Sequence, residues 1–223
     1  MRENTGGPIH FLSRREKWQQ KKETDFFSLI EQAGLYAERS TSFREKMRAL
    51  YLFRELTGYQ RTKGTDPGSL PERIFHTWYL CDYVTVKNER IIERFMKEKR
   101  RRDDWEFLSR LIVSYSSVFR VVEDAGNLSL HEWAGETLPF PVGDRVWNKD
   151  DLKAEYCIAR PVKVGVKTLP LGPVIPLREK TAQKMTTWLE QQLETVHIPF
   201  RIFMQQKGLG IYRFLFQSYK EEC

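Results

Sequence analysis

Apolar positions along this chain change their spacing twice. Up to about residue 115 they recur at intervals of three and four, the period of a buried helix stripe. From Ser116 they fall in short runs of strand length, and after Pro176 the helical period returns. In the first part, Thr24 is placed to cap a helix opening at Asp25, with Phe26, Phe27, Ile30, Ala33 and Leu35 as its apolar face. Residues 1–23 ahead of it are polar, broken by Gly6-Gly7-Pro8, and read as a basic arm. A second helix is predicted from about Ser42 to Leu56, with Phe43, Met47, Leu50, Tyr51 and Leu56 inward and Gly58 as its stop. Gln60 to Leu70, with Gly64, Pro67 and Gly68, reads as a loop.

The densest aromatic segment is Pro71 to Tyr83, between the helical half and the strand-like half. Pro71 suits a first helical turn, Ser69 precedes it as a cap, and Glu72 suits the positive end of the helix dipole. Ile74, Phe75 and Trp78 share one face while Tyr79 and Tyr83 form a second row. Such a helix is expected to be buried on more than one side. His76 and Asp82 lie six apart, on roughly opposite faces, which argues against an acid–base pair. The expectation is that Asp82 holds a backbone group or an arginine in place and that His76 is partly exposed.

The next helix is predicted to be capped by Asn88, to bury Ile91, Ile92, Phe95 and Met96, and to end in the basic run Lys97 to Arg102. Asp103-Asp104 then opens a helix through Trp105, Leu108, Leu111 and Ile112. Strands are expected at Ser117–Glu123 and Leu128–Trp133, around a turn at 124–127, and at Glu136–Val142, where Pro139 and Pro141 imply an edge. Two more are expected at Leu152–Val164 and Val166–Ile175. Leu177 to Val196 is a helix by the spacing of Met185, Leu189, Leu193 and Val196. Pro199 opens a last segment carrying Phe200, Phe203 and Met204, and helix and strand are not separable by pattern over 211–219. The fold class is therefore α+β. It comprises a helical region over 24–115, a small five-stranded antiparallel β-barrel-like module over 116–176, and a C-terminal helical pair over 177–223.

The pattern Phe75-x-x-Trp78-Tyr79-x-x-Asp82-Tyr83 resembles a module of poorly characterised bacterial proteins, often found beside a zinc-binding SEC-C motif. Further points of likeness are Ser116-Ser117-Val118-Phe119-Arg120-Val121, Gly143-Asp144 and Ala159-Arg160-Pro161-Val162, so that it covers about Pro71 to Pro176. The resemblance implies an aromatic helix followed by a small β module and brings no reaction with it. No Cys/His zinc motif follows in this chain.

Composition narrows the function classes. With 40% hydrophobic and 13% aromatic residues, 223 residues can build a real core, so disorder is not expected. No apolar run approaches the roughly 20 residues that span a bilayer, and the first residues lack a signal-peptide core, so a cytoplasmic protein without a membrane segment is expected. Cys81, Cys157 and Cys223 are odd in number and widely spaced, against a disulfide framework or a zinc knuckle. His10, His76, His131 and His197 form no pair at metal-ligand spacing, and no metal or cofactor is expected. Phosphate-binding glycine loops, GxSxG and HExxH are all absent. Cys157 reads as a small buried hydrophobe, and no catalytic residue is assigned.

The net charge of +7 and pI near 9.3 favour an acidic partner, either nucleic acid or an acidic protein surface. Candidate phosphate contacts are Lys97, Lys99, Arg100, Arg101 and Arg102, with Arg14, Arg15, Lys21 and Lys22 beside Trp18 in the arm. The alternative is an adaptor or complex subunit that binds a protein partner through the edge of the β module and an aromatic patch at Phe203, Phe214 and Phe216.

Overall fold

A computed structural model describes residues 8–60, 68–99, 102–134, 138–142 and 146–221. Helix α1 (Pro8–Ser40) runs for 33 residues, about 50 Å at 1.5 Å per residue. It passes straight through the expected boundary at 23/24, because no Gly or Pro stands between Pro8 and Gly34. Thr24 caps nothing: its hydroxyl donates to the Gln20 carbonyl within the helix. The inward stripe is Phe26, Leu29, Ala33 and Ala37, whereas Phe27 and Leu35 are left exposed. The arm is held where Gln19, almost fully buried, donates to the Val164 carbonyl and accepts from the Val166 amide. That approach needs Gly165, since a Cβ there would lie 2.3 Å from Gln19 Oε1.

Helix α2 (Phe43–Thr57) begins where Ser42 accepts from the Glu45 amide and ends at Gly58, in the left-handed region at φ 67°. Both ends are where the sequence places them, but the inward face is not. Glu45, Ala49, Phe53 and Thr57 are buried, while Phe43, Met47, Tyr51 and Leu56 are exposed. Helix α3 (Leu70–Cys81) is the central element and is buried on two sides, as its aromatic density implies. Ile74 packs in one cluster with α2 and the C-terminal helices, and Tyr79, Leu80 and Cys81 pack in another with α1. Helices α4 (Ile91–Glu98) and α5 (Arg102–Val113) complete the N-terminal layer. Asn88 is not the cap of α4 but sits in a turn at φ 57°; the helix opens after Arg90, whose side chain and backbone are both held by Glu93.

The chain then forms β1 (Ser117–Asp124), β2 (Asn127–Glu132), β3 (Phe140–Pro141), β4 (Tyr156–Ala159), β5 (Pro161–Val164), β6 (Lys167–Pro170) and β7 (Ile175–Leu177). Five of these make one antiparallel sheet in the order β3-β2-β1-β4-β7. The sheet is open: its edges β3 and β7 do not pair, so the barrel-like closure expected from strand count does not form. The expected long strand over Leu152–Val164 is broken at Arg160, and β5 pairs instead with β6 in a separate hairpin packed on α1 and α5. Alternation gives the sheet two apolar faces. Val118 and Ile158 face the C-terminal helices, whereas Phe119 and Cys157 face Trp147 and Leu152.

The C-terminal segment has three helices rather than two: α6 (Glu179–Glu194), α7 (Phe200–Lys207) and, after a 3₁₀ turn, α8 (Tyr212–Glu221). Phe203 and Phe216 are buried and Phe214 packs against Trp188, so the expected exposed aromatic patch is core. The open sheet leaves a face that these rings cover, and Phe216 also meets Tyr59 beyond α2. Among the described residues, no helix is long and apolar enough to cross a membrane.

Candidate functional site: a groove between three helices

Two polar constellations compete with surface features for a functional role. The first is Asp82, at the end of α3. Its carboxylate receives both Arg160 Nη1 and Nη2, at 2.6 and 2.8 Å, and Arg160 also donates from Nε to Ser114 Oγ and from Nη2 to the Ser114 carbonyl. Arg160 is 1% exposed. This is the holding role expected of Asp82, and His76 is exposed, as expected. Asp82 borders a cavity of about 20 Å³ shared with Ser116 and Tyr212, room for one water and not for a substrate. Burial pushes the Tyr212 hydroxyl up to about 12.

The two described cysteines are poorly placed as nucleophiles. Cys81 and Cys157 are wholly buried, and burial pushes their thiols up to about 11 and about 12, away from the reactive thiolate. Cys223 lies outside the described residues. No cluster of His, Cys, Asp or Glu among the described residues could hold a metal ion.

The second constellation is the pair of basic clusters. Lys99 donates to Gln32 on α1 at 2.7 Å and lies over the Phe95 ring. Lys22 on α1 meets Glu106 on α5 at 3.5 Å and lies over the Phe107 ring. One member of each cluster, Lys99 and Lys22, thus lies between α1 and the α4–α5 pair, at contacts ten residues apart along α1. The charge of the clusters is partly answered: Lys97 pairs with Glu89, and the Lys22 side chain is only 14% exposed. Arg14, Arg15 and Lys21 are exposed on α1, and Arg14, Lys17 and Lys21 lie on one flank of it, the flank Gln32 continues. Arg100 and Arg101 lie outside the described residues, as does the side chain of Arg102.

A wider concavity lies elsewhere. A groove of about 910 Å³ runs between α1, α2 and α3. Its floor is Gly34 and Ala37 of α1 with Leu80 of α3, and Leu171 also lines it. Met47 and Leu50 form the α2 wall, contiguous with Phe43, which is 79% exposed, and Tyr51, which is 62% exposed. The polar groups at the floor are already engaged. The Tyr79 hydroxyl donates to Thr41 Oγ1, Thr41 donates to the Ala37 carbonyl, and Thr77 donates to the Arg73 carbonyl. A Cβ at Gly34 would meet nothing within 4 Å, so the groove is open above that turn of α1.

No family model, curated protein or solved structure matches this chain.

The groove offers apolar contact without inward hydrogen-bonding groups, and its charge sits at the rim. Arg39, Lys46 and Arg73 stand there against one carboxylate, Glu38. The sequence holds the signal for this site, because Phe43, Met47, Leu50 and Tyr51 do form a stripe at helical spacing. Spacing marks such a stripe as apolar, not as covered.

Proposed function

We propose that this chain is a non-enzymatic docking module that takes an α-helical segment of a partner protein in the groove between α1, α2 and α3. One observation carries the reading: α2 is apolar on two faces, and the fold covers only one. Phe53 and Ala49 lie in the core, while Phe43, Met47 and Tyr51 stay in water beside an apolar concavity. Monomeric proteins seldom leave such contiguous surface uncovered unless something binds it. An amphipathic helix placing i, i+3, i+4 and i+7 side chains in a groove is the recognition mode this shape fits.

The test is a methyl NMR titration with a synthetic amphipathic helix of about five turns carrying a Leu/Phe stripe and uncharged Gln flanks. Shifts concentrated at Met47, Leu50 and Leu80 are expected. Shifts scattered over the surface, or none at about 1 mM peptide, would remove the reading.

A second reading, contact with nucleic acid, is favoured by the exposed basic flank of Arg14, Lys17 and Lys21 on α1. It expects binding to duplex or single-stranded nucleic acid whose affinity falls steeply with salt. Changing Arg14, Lys17 and Lys21 to Gln should then lower the log–log salt slope by about 2 to 3. Unchanged affinity in that variant would dismiss the edge as a binding site.

A further inference from the structure

The rim chemistry says what kind of helix the groove takes. We infer that the partner segment is an acidic amphipathic helix, with an apolar stripe flanked by Asp or Glu; this rests on the docking reading above. Lys46 lines the groove from α2, Arg73 from α3 and Arg39 from α1. Arg39 and Arg73 are exposed, and Lys46 spends one hydrogen bond on the Glu38 carbonyl while keeping its charge. His76 on the α3 side lies 3.9 Å from the Glu72 carboxylate and is not counted among these cations. A helix lying along the floor brings its flanking positions against these cations, and acidic flanks answer them.

Other occupants fit less well. A second copy docked by the same face would set Arg39, Lys46 and Arg73 against their own counterparts, in a chain of net charge +7. The exposed apolar residues of the α1 arm, Phe11 and Leu12, are followed by Arg14 and Arg15 and would bring the same repulsion. A bilayer surface would reach Phe43 and Tyr51 at the crest of α2 and leave the concavity behind them empty.

The experiment uses the full chain and three labelled peptides with one apolar stripe and flanks of Glu, Gln or Lys, read by fluorescence anisotropy. The Glu peptide is expected to bind about tenfold or more tighter than the Lys peptide, the sum of a few exposed charge pairs. That advantage should shrink as salt rises from roughly 0.05 to 0.5 M, where screening removes most of it. Gly34→Leu supplies the control for folding. The substitution fills open space with a better helix former, so the thermal midpoint should hold or rise while binding of the Glu peptide is lost. Equal affinity for all three peptides, abolished by Gly34→Leu, would leave the groove reading standing and overturn the acidic partner. No binding of any peptide, or binding indifferent to Gly34→Leu, would overturn both. Two further results would also overturn the proposal: dimerisation in light scattering that Met47→Glu abolishes, and sedimentation with 3:1 phosphatidylcholine–phosphatidylserine vesicles that depends on Phe43 and Met47.

Discussion

At the scale of single residues, the buried Arg160–Asp82 pair ties three elements together. It joins the end of α3 to the break between β4 and β5, and through Ser114 to the end of α5. Removing one partner leaves the other as an uncompensated buried charge. Asp82→Ala is therefore expected to lose about 3 to 5 kcal/mol in urea unfolding, and Asp82→Leu with Arg160→Met to lose much less. An Asp82→Ala loss under 1 kcal/mol would mean that water reaches the pair. Glu93 gives a pH-dependent counterpart. Burial opposes its charge, but the Arg90 guanidinium and the Arg90 amide overcome that and hold the carboxyl below its ordinary range. A carboxylate depressed in the fold contributes stability above its unfolded pKa and loses it as pH falls through the folded value. Glu93→Gln should accordingly be less stable than the parent at pH 7, and the gap should close on acidification below the ordinary carboxylate range. A constant gap would assign the effect to packing. The role of Asp82 was legible from sequence, because an Asp in an aromatic helix needs a partner. The identity of that partner was not, since Arg160 is brought to it only by the fold.

At the scale of elements, α2 shows why helical spacing underdetermines a helix. Its ends were legible, as Ser42 and Gly58 act through local hydrogen bonds and a local φ. Its buried face was not, because two stripes compete and the larger one, Phe43 to Tyr51, is the one left outside. The packed stripe contains Ala49 and Thr57, small side chains that sequence reading ranks low but that let α2 approach its neighbours. Glu45 lies on that stripe too, and it is acceptable there because the Tyr83 hydroxyl and the Val86 amide satisfy it. The two faces should separate cleanly in mutagenesis. Phe53→Ala is expected to cost about 3 to 5 kcal/mol, as for any large ring removed from a core. Met47→Glu and Phe43→Glu are expected to stay within about 0.5 kcal/mol, as for ordinary surface changes. Chemical denaturation of the three variants decides it, and comparable losses would place the Phe43 face in the core.

At the scale of the whole molecule, the first two strands and the turn between them were legible, whereas the five expected strands are seven and their closure does not form. Strand runs and turns are local, whereas closure depends on which edges meet, and here β3 and β7 end on opposite sides of the sheet. An open sheet needs a cover, and the C-terminal helices provide it. Phe203, Leu215 and Phe216 share one cluster with Phe53 of α2, Ile74 of α3 and Val118 of β1. The aromatic excess of the tail thus belongs to the same core as the N-terminal helices, and α3 joins that core to the one built on α1. Truncation after Val196 is the prediction that follows. A tail docked on a self-sufficient body would leave behind a protein with native near-ultraviolet circular dichroism and a sharp thermal transition. A tail that is core would leave one face of the sheet and the inner face of α2 in water, with Phe53 and Ile74 losing partners at once. The expected outcome is loss of the near-ultraviolet signal and of cooperative unfolding, with helical far-ultraviolet signal partly retained and dye binding increased. A truncated chain that still unfolds sharply would show that the cluster around α1 holds α2 and the sheet without the tail.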